Sequence, residues 1–169
     1  VVTKNLKTLL DFKRLDESLG QALEVTNSMA IDENGGIYVV TSQFMHRVAW
    51  DANNHTLSAA APNEVCDLEP CLAWNTAYDV EKVAFTERPT KFGSGTTPSL
   101  MKLQSGELYV VIADGSRKQK VVVFDVSSGA IADTALVDFH SGNTESYTEQ
   151  SILVNEDKFV IVENAFTNP

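Results

Sequence analysis

A short apolar run, a turn, and an aromatic residue heading a β-branched run occur three times in this chain. The three copies are SMAIDENGGIYVVTSQ at 28–43, SLMKLQSGELYVVIAD at 99–114 and SILVNEDKFVIVEN at 151–164. With Tyr38, Tyr109 and Phe159 set equivalent, the pattern returns after 71 and then 50 residues. Apolar runs on either side of a tight polar turn mark an antiparallel hairpin. A unit of this kind cannot bury its apolar face alone, so its recurrence implies stacking of one copy on the next.

The spacing suits β-propeller blades once a loop insertion is allowed for. The fold expected is all-β: a β-propeller segment of about three blades, each a four-stranded antiparallel meander, with incomplete blades at both ends. A β-sandwich holds a similar number of short strands but gives no reason for one unit to recur. Blades run to about 40–50 residues and rings need at least four, so 169 residues read as half a ring.

The expected units are 1–13 (outer strands of a blade), 26–60 (a blade), 61–96 (an insertion), 97–141 (a blade) and 148–164 (inner strands of a blade). In the first full unit the strands expected are Ser28–Asp32, Ile37–Ser42, Phe44–Trp50 and Thr56–Ala60; in the second they are Ser99–Leu103, Leu108–Ala113, Lys120–Val126 and one near Ala135–His140. Ser151–Asn155 and Lys158–Glu163 follow as an inner pair. The ends look complementary, so the partner expected is a second copy of the chain or the remainder of a longer propeller chain, since an open strand edge invites pairing. The chain lacks an initiator Met and is expected to be a processed product or a piece of a longer polypeptide.

A net charge of −10 argues against a nucleic-acid partner, whose phosphates are met by clustered Lys and Arg. No stretch reaches the roughly 18–20 apolar residues of a membrane span, so no membrane partner is expected. Cys66 and Cys71 bracket CDLEPC. Three readings stand for the pair: a small disulfide, two free thiols, or a metal site that would need further ligands. The disulfide reading places the protein in an oxidising compartment, periplasmic or secreted.

Hairpin geometry gathers polar residues at one end of the expected stack. The approaches to the inner strands supply Thr26, Asn27, Thr96, Thr97, Thr148 and Glu149, and the second-strand exits supply Gln43, Asp114, Glu163 and Asn164. Oxygen donors of this kind suit a hard cation such as Ca²⁺, and a buried carboxylate among them suits general acid or base work. A second reading is structural: the same groups satisfy strand ends and one another's backbone.

Other motifs carry less. His46, His55 and His140 fall on strand or hairpin positions away from this set and read as structural. GSGTT at 93–97 leads into a strand rather than a helix, so it fails the context of a phosphate cradle and reads as a sharp turn. Asn54-His55-Thr56 matches a glycosylation acceptor. No Ser-His-Asp constellation with a nucleophile elbow is present.

EVTNSMAIDENGGIYVV resembles the start of a blade in six-bladed propellers of the gluconolactonase and senescence-marker type. FGSGTTPSLM followed by ELYVVIADG resembles blades of bacterial quinoprotein-like propellers. The resemblance covers roughly 24–60 and 92–164, with Ser28 where Gly is usual. It implies a central divalent metal held by Asn, Asp and Glu from several blades, with Asn27 and Asp114 at matching positions. Taken with the gathered oxygen donors, the metal expected is Ca²⁺ first, held by Asn27, Asp114 and Glu163, with Asp114, Glu149 and Glu163 as catalytic carboxylates and Thr97, Gln43 and Asn164 contacting ligand. The activity implied is that of a metal-dependent, lactonase-like hydrolase of a small polar or sugar-derived substrate. A non-catalytic binding module for a protein or glycan is the alternative. A quinoprotein-like oxidoreductase is a further one, although its tryptophan docking motifs are missing, since only Trp50 and Trp74 occur.

Overall fold

The computed structural model describes residues 1–15, 23–66, 72–80, 93–116, 118–137, 146 and 148–163. In chain order the strands are β1 (Ala30–Ile31), β2 (Gly36–Val40), β3 (Phe44–Asp51), β4 (Thr56–Ser58), β5 (Trp74–Ala77), β6 (Ser99–Lys102), β7 (Leu108–Ala113), β8 (Lys120–Asp125), β9 (Ile131–Leu136), β10 (Leu153–Asn155) and β11 (Lys158–Val160). The fold is all-β, with no helix among the described residues. Two antiparallel meanders, β1-β2-β3-β4 and β6-β7-β8-β9, are followed by the two-stranded β10-β11. The last strand of the second meander begins earlier than the sequence suggested, and His140 lies outside the described residues.

The turns explain why the first two copies share one register. Asp32 N–H donates to Gly36 O and Leu103 N–H to Glu107 O, both at 2.9 Å, closing three-residue loops. Each loop ends on a left-handed residue, Gly35 at φ 84° and Gly106 at φ 97°, as a type I turn with a following bulge requires. Ala30 then faces Tyr38 and Met101 faces Tyr109 across the strands.

Alternation gives each sheet two faces, and directly opposed residues share one. Tyr38, Val40, Met45 and Trp74 of the first sheet pack with Val110, Ile112, Val122 and Phe124 of the second in one core. The opposite face of the second sheet, with Met101, Val111, Ala113, Val121 and Val123, packs on Ile152 of the final hairpin, joined by Val154 and Ile161. The three sheets therefore stack face to face in chain order.

Two expectations are corrected. The loop of the final hairpin holds only Glu156 and Asp157, because Asn155 pairs directly with Lys158. That turn is one residue shorter than its counterparts, and a one-residue change moves every following side chain to the other face. Phe159 therefore shares a face with Val154, toward the second sheet, and Val160 takes the place of Tyr38 and Tyr109.

The second correction concerns 61–96, which was expected to stand outside the first sheet. β5 pairs with β3 from Phe44↔Ala77 to Arg47↔Trp74, and β4 pairs with the same strand from Ala49↔Ser58 to Asp51↔Thr56. β4 and β5 run in one direction along one edge, so they form a single outer strand interrupted opposite Val48 by an excursion through 59–73. Within it Cys66 N–H donates to Ala73 O at 2.8 Å and Asn75 N–H to Glu64 O at 3.0 Å. The two described arms of the excursion thus pair antiparallel, with a bridge at Val65↔Trp74. At the other end of the chain, residues expected as outer strands make a single bridge, Val2↔Leu9, and Asp11 Oδ2 accepts from Leu57 N–H of β4 at 2.7 Å.

Candidate functional site

The loops that follow β2 and β7 and those that lead into β6 and β10 meet at one end of the stack. The turns meet at the other, where Lys102 reaches Glu33 at 3.4 Å and Gln104 donates to Glu156 at 3.3 Å. The loop end is drawn together by glycines. A Cβ on Gly93, which has φ 81°, would lie 2.6 Å from the Ser42 backbone, and one on Gly115 would lie 2.8 Å from the Gly93 backbone. The GSGTT segment is therefore the place where three loops touch, which accounts for its glycines without a phosphate.

The polar residues gathered here are consumed in joining one sheet to the next. Tyr78, 7 % exposed, donates its hydroxyl to Thr41 O and accepts from Ser94 N–H at 2.8 Å. Gln119 does the same between the second and third sheets. Its Nε2 donates to Asp114 O at 2.8 Å and Thr148 O at 3.2 Å, and its Oε1 accepts from Thr148 N–H at 2.6 Å. The linking roles of Tyr78, one of the aromatics of 61–96, and of Gln119 were not legible in the sequence, because their partners are distant in the chain. A buried polar side chain must find partners, and these bridge otherwise unpaired backbone groups.

Asp114 is fully buried. Its Oδ1 accepts from Ser116 N–H at 3.1 Å and Lys120 N–H at 2.9 Å, and its Oδ2 accepts from the Ser116 hydroxyl at 2.7 Å. Burial pushes its carboxyl above the ordinary range, against those hydrogen bonds and the Lys120 charge. The other residues expected at the site are placed less centrally. Asn27 is half-buried and donates to Thr26 Oγ1 at 3.0 Å. Glu149 lies beside Gly95, whose Cβ would meet its Cγ at 2.7 Å. Thr97, Gln43 and Glu163 are half-buried, and Asn164 lies outside the described residues.

No group of three His, Cys, Asp or Glu side chains placed to hold a metal occurs among the described residues. Both oxygens of Asp114 accept hydrogen bonds within its own loop, and the Asn27 amide nitrogen donates to Thr26. No chemical step is routed through a metal.

A second polar cluster lies inside the stack. Tyr38 donates to Asp32 Oδ2 at 2.6 Å, Arg47 Nε donates to Tyr38 Oη at 3.0 Å, and Arg47 Nη2 lies 3.5 Å from Asp32 Oδ2. Asp32 Oδ1 accepts from Asn34 and Gly36 N–H, each at 2.8 Å. Burial acts against ionisation of Asp32, but Tyr38, those N–H groups and Arg47 outweigh it and hold the carboxyl below its usual range. Burial, with the Asp32 hydrogen bond, raises the Tyr38 hydroxyl. Arg47 Nη1 also donates to Leu72 O, so this network fastens the excursion to the sheet. Trp74 adds a hydrogen bond from Nε1 to Val126 O at 2.8 Å. The sequence signal for it is an Arg, beside a His, inside the strand-forming run FMHRVAW. Cys66 in the same hairpin is disulfide-bonded, and Cys71 lies outside the described residues.

No protein-family model and no solved structure matches the chain. Over 154 residues, 83 % of this chain, it is 32 % identical to an uncharacterized protein of Archaeoglobus fulgidus, of which it spans 26 %.

Proposed function

We propose that the stacked sheets are an arc of a β-propeller and that this arc is a non-catalytic binding module, with the excursion at 59–73 as its recognition element. The observation that carries this reading is the mounting of the excursion. Arg47 and Trp74, 4 % and 1 % exposed, hold its base in the core, while Val65 and Leu72 expose 46 % and 53 % of their surface. A loop presented on a rigid scaffold is a common recognition device, and exposed apolar side chains on its described arms favour a protein surface over a glycan. The disulfide at Cys66 supports a periplasmic or secreted location.

The hydrolase reading keeps one observation in its favour: burial lifts the Asp114 carboxyl toward the range of a general acid. Two measurements separate the readings. Peptide and glycan display should yield ligands whose binding is lost in Val65→Asp/Leu72→Asp while the circular dichroism is unchanged. Stabilisation by Ca²⁺, Mn²⁺ or Zn²⁺ that disappears in Asp114→Asn would instead favour the hydrolase, through linkage of ligand binding to unfolding.

A further inference from the structure

The turn between β3 and β4 holds the Asn54-His55-Thr56 acceptor, and no other Asn of the sequence is followed two residues on by Ser or Thr. Asp51 builds this turn. Its Oδ1 accepts from Asn53 N–H at 2.8 Å and Asn54 N–H at 3.1 Å, and its Oδ2 accepts from Asn54 Nδ2 at 2.6 Å. His55 closes the turn at φ 55°, a left-handed conformation that His adopts more readily than most residues. Its ring stacks on Trp50, with centroids 6.1 Å apart and planes 7° apart. Asn54, His55 and Thr56 are all exposed.

The same turn recurs in the second sheet, which has packed neighbours on both faces. Asp125 Oδ1 accepts from Ser128 N–H at 2.8 Å and Gly129 closes the turn at φ 73°, so Ser128 stands where Asn54 does. Gly129 is packed on Trp74, and a Cβ there would lie 2.6 Å from that side chain. Ser127 and Ser128 nevertheless stay exposed. The tip of this turn is in solvent even in a sheet flanked on both sides, so the exposure of Asn54 is a property of the turn and does not depend on where the stack stops.

We infer that Asn54 is a site of N-linked glycosylation, with a lipid diphosphate-linked oligosaccharide as the donor. An acceptor of this pattern is used on an exposed turn of an exported chain, a placement that rests on the export reading of the Cys66 disulfide. In the transfer a bond forms between Asn54 Nδ2 and the anomeric carbon of the sugar, the bond from that carbon to the phosphate oxygen breaks, and one Nδ2 proton leaves with the lipid diphosphate. A primary amide nitrogen carries two protons. The one that remains can keep the hydrogen bond to Asp51 Oδ2, so the glycan is added without dismantling the turn. The bulky, polar product holds this corner of the first sheet in solvent.

Mass spectrometry of the whole protein purified from its own cells, under non-reducing, alkylating conditions, reads Asn54 and Cys66 in one sample. Fragmentation of the peptide that spans 51–56 should place a sugar mass on Asn54. In the same cells Thr56→Ala should abolish that mass and Thr56→Ser should retain it. Thr56 is exposed, so the circular dichroism of both variants should match the wild type. An unmodified Asn54 together with a disulfide-bonded Cys66 would overturn the site and leave the export reading standing. An unmodified Asn54 together with an alkylated Cys66 would overturn both. A sugar mass that persists in Thr56→Ala would overturn the assignment to this acceptor.

Discussion

The first and second sheets share a plan, yet the first buries polar groups where the second buries hydrocarbon or exposes charge. His46 is opposed to Val39 and Phe124 to Val110, so these two side chains occupy one place in the plan. Arg47 and Asp125 occupy the next, opposite Tyr38 and Tyr109. Arg47 lies in the core and holds the excursion, whereas Asp125 organises a turn, accepting from the Ser127 and Ser128 hydroxyls at 2.6 and 2.8 Å. The second outer strand is continuous, with one bulge opposite Val123/Phe124. The first is interrupted, and its buried charge secures the interruption. Arg47 thus serves two groups at once, the buried Asp32 carboxylate and the carbonyl of Leu72 in the excursion.

Breaking that anchor should have the largest effect. Arg47→Met leaves Asp32 buried without its cation and frees Leu72 O, and removal of one partner of a buried pair costs about 3 kcal/mol or more. Asp125→Ala at the same place in the second sheet loses only turn hydrogen bonds, about 1 kcal/mol. Urea denaturation of the two variants compares them directly. Equal losses would show that the excursion is not fastened through Arg47.

The His46 and Phe124 pair sharpens the comparison through pH. Burial lowers the His46 pKa from 6.5 to about 4. The unfolded chain therefore takes up the proton first, so the stability associated with neutral His46 is complete above pH 6.5 and declines as the pH falls toward 4. By pH 5 the loss should reach about 2 kcal/mol. His46→Phe, which copies the second sheet, should remove that slope while giving up the 3.1 Å contact with Thr41 Oγ1. An unchanged slope between pH 6.5 and 5 would assign it to other groups.

The smallest expected difference lies between two equivalent turn glycines. Gly35→Ala and Gly106→Ala both place a side chain at positive φ, at a cost of about 1 kcal/mol each. Only at Gly35 does the new Cβ meet backbone, 2.7 Å from Trp50 O, while nothing lies within 4 Å of Gly106. Gly35→Ala should melt lower than Gly106→Ala, and matching melting temperatures would show that the first turn yields without resistance.

Much of the meander was legible in the sequence because hairpins are local. Leu108–Ala113 was read to the residue, since an apolar β-branched run bounded by a glycine turn and an Asp-Gly leaves little choice. Of the loop-end residues, Thr96, Asp114 and Thr148 lie buried where neighbouring strands and loops join, but their chemistry was not legible. Whether Asp114 faces a ligand or its own loop depends on Ser116 and Lys120 folding back onto it, and alternation carries no information about that.

The sequence by itself determined the first three strands of each meander and the turns between the inner pairs, because these follow from side-chain alternation and turn chemistry over a few residues. Tertiary structure decided three things. Trp74–Ala77 rejoined the first sheet across a gap in sequence, because β3 offered an open edge beyond Ser58. Phe159 turned toward the second sheet rather than away, because its turn is one residue short. Tyr78 and Gln119 became ties between sheets, because backbone groups left unpaired by distant loops needed buried partners. Each outcome depends on which distant groups meet, and that depends on the packed whole.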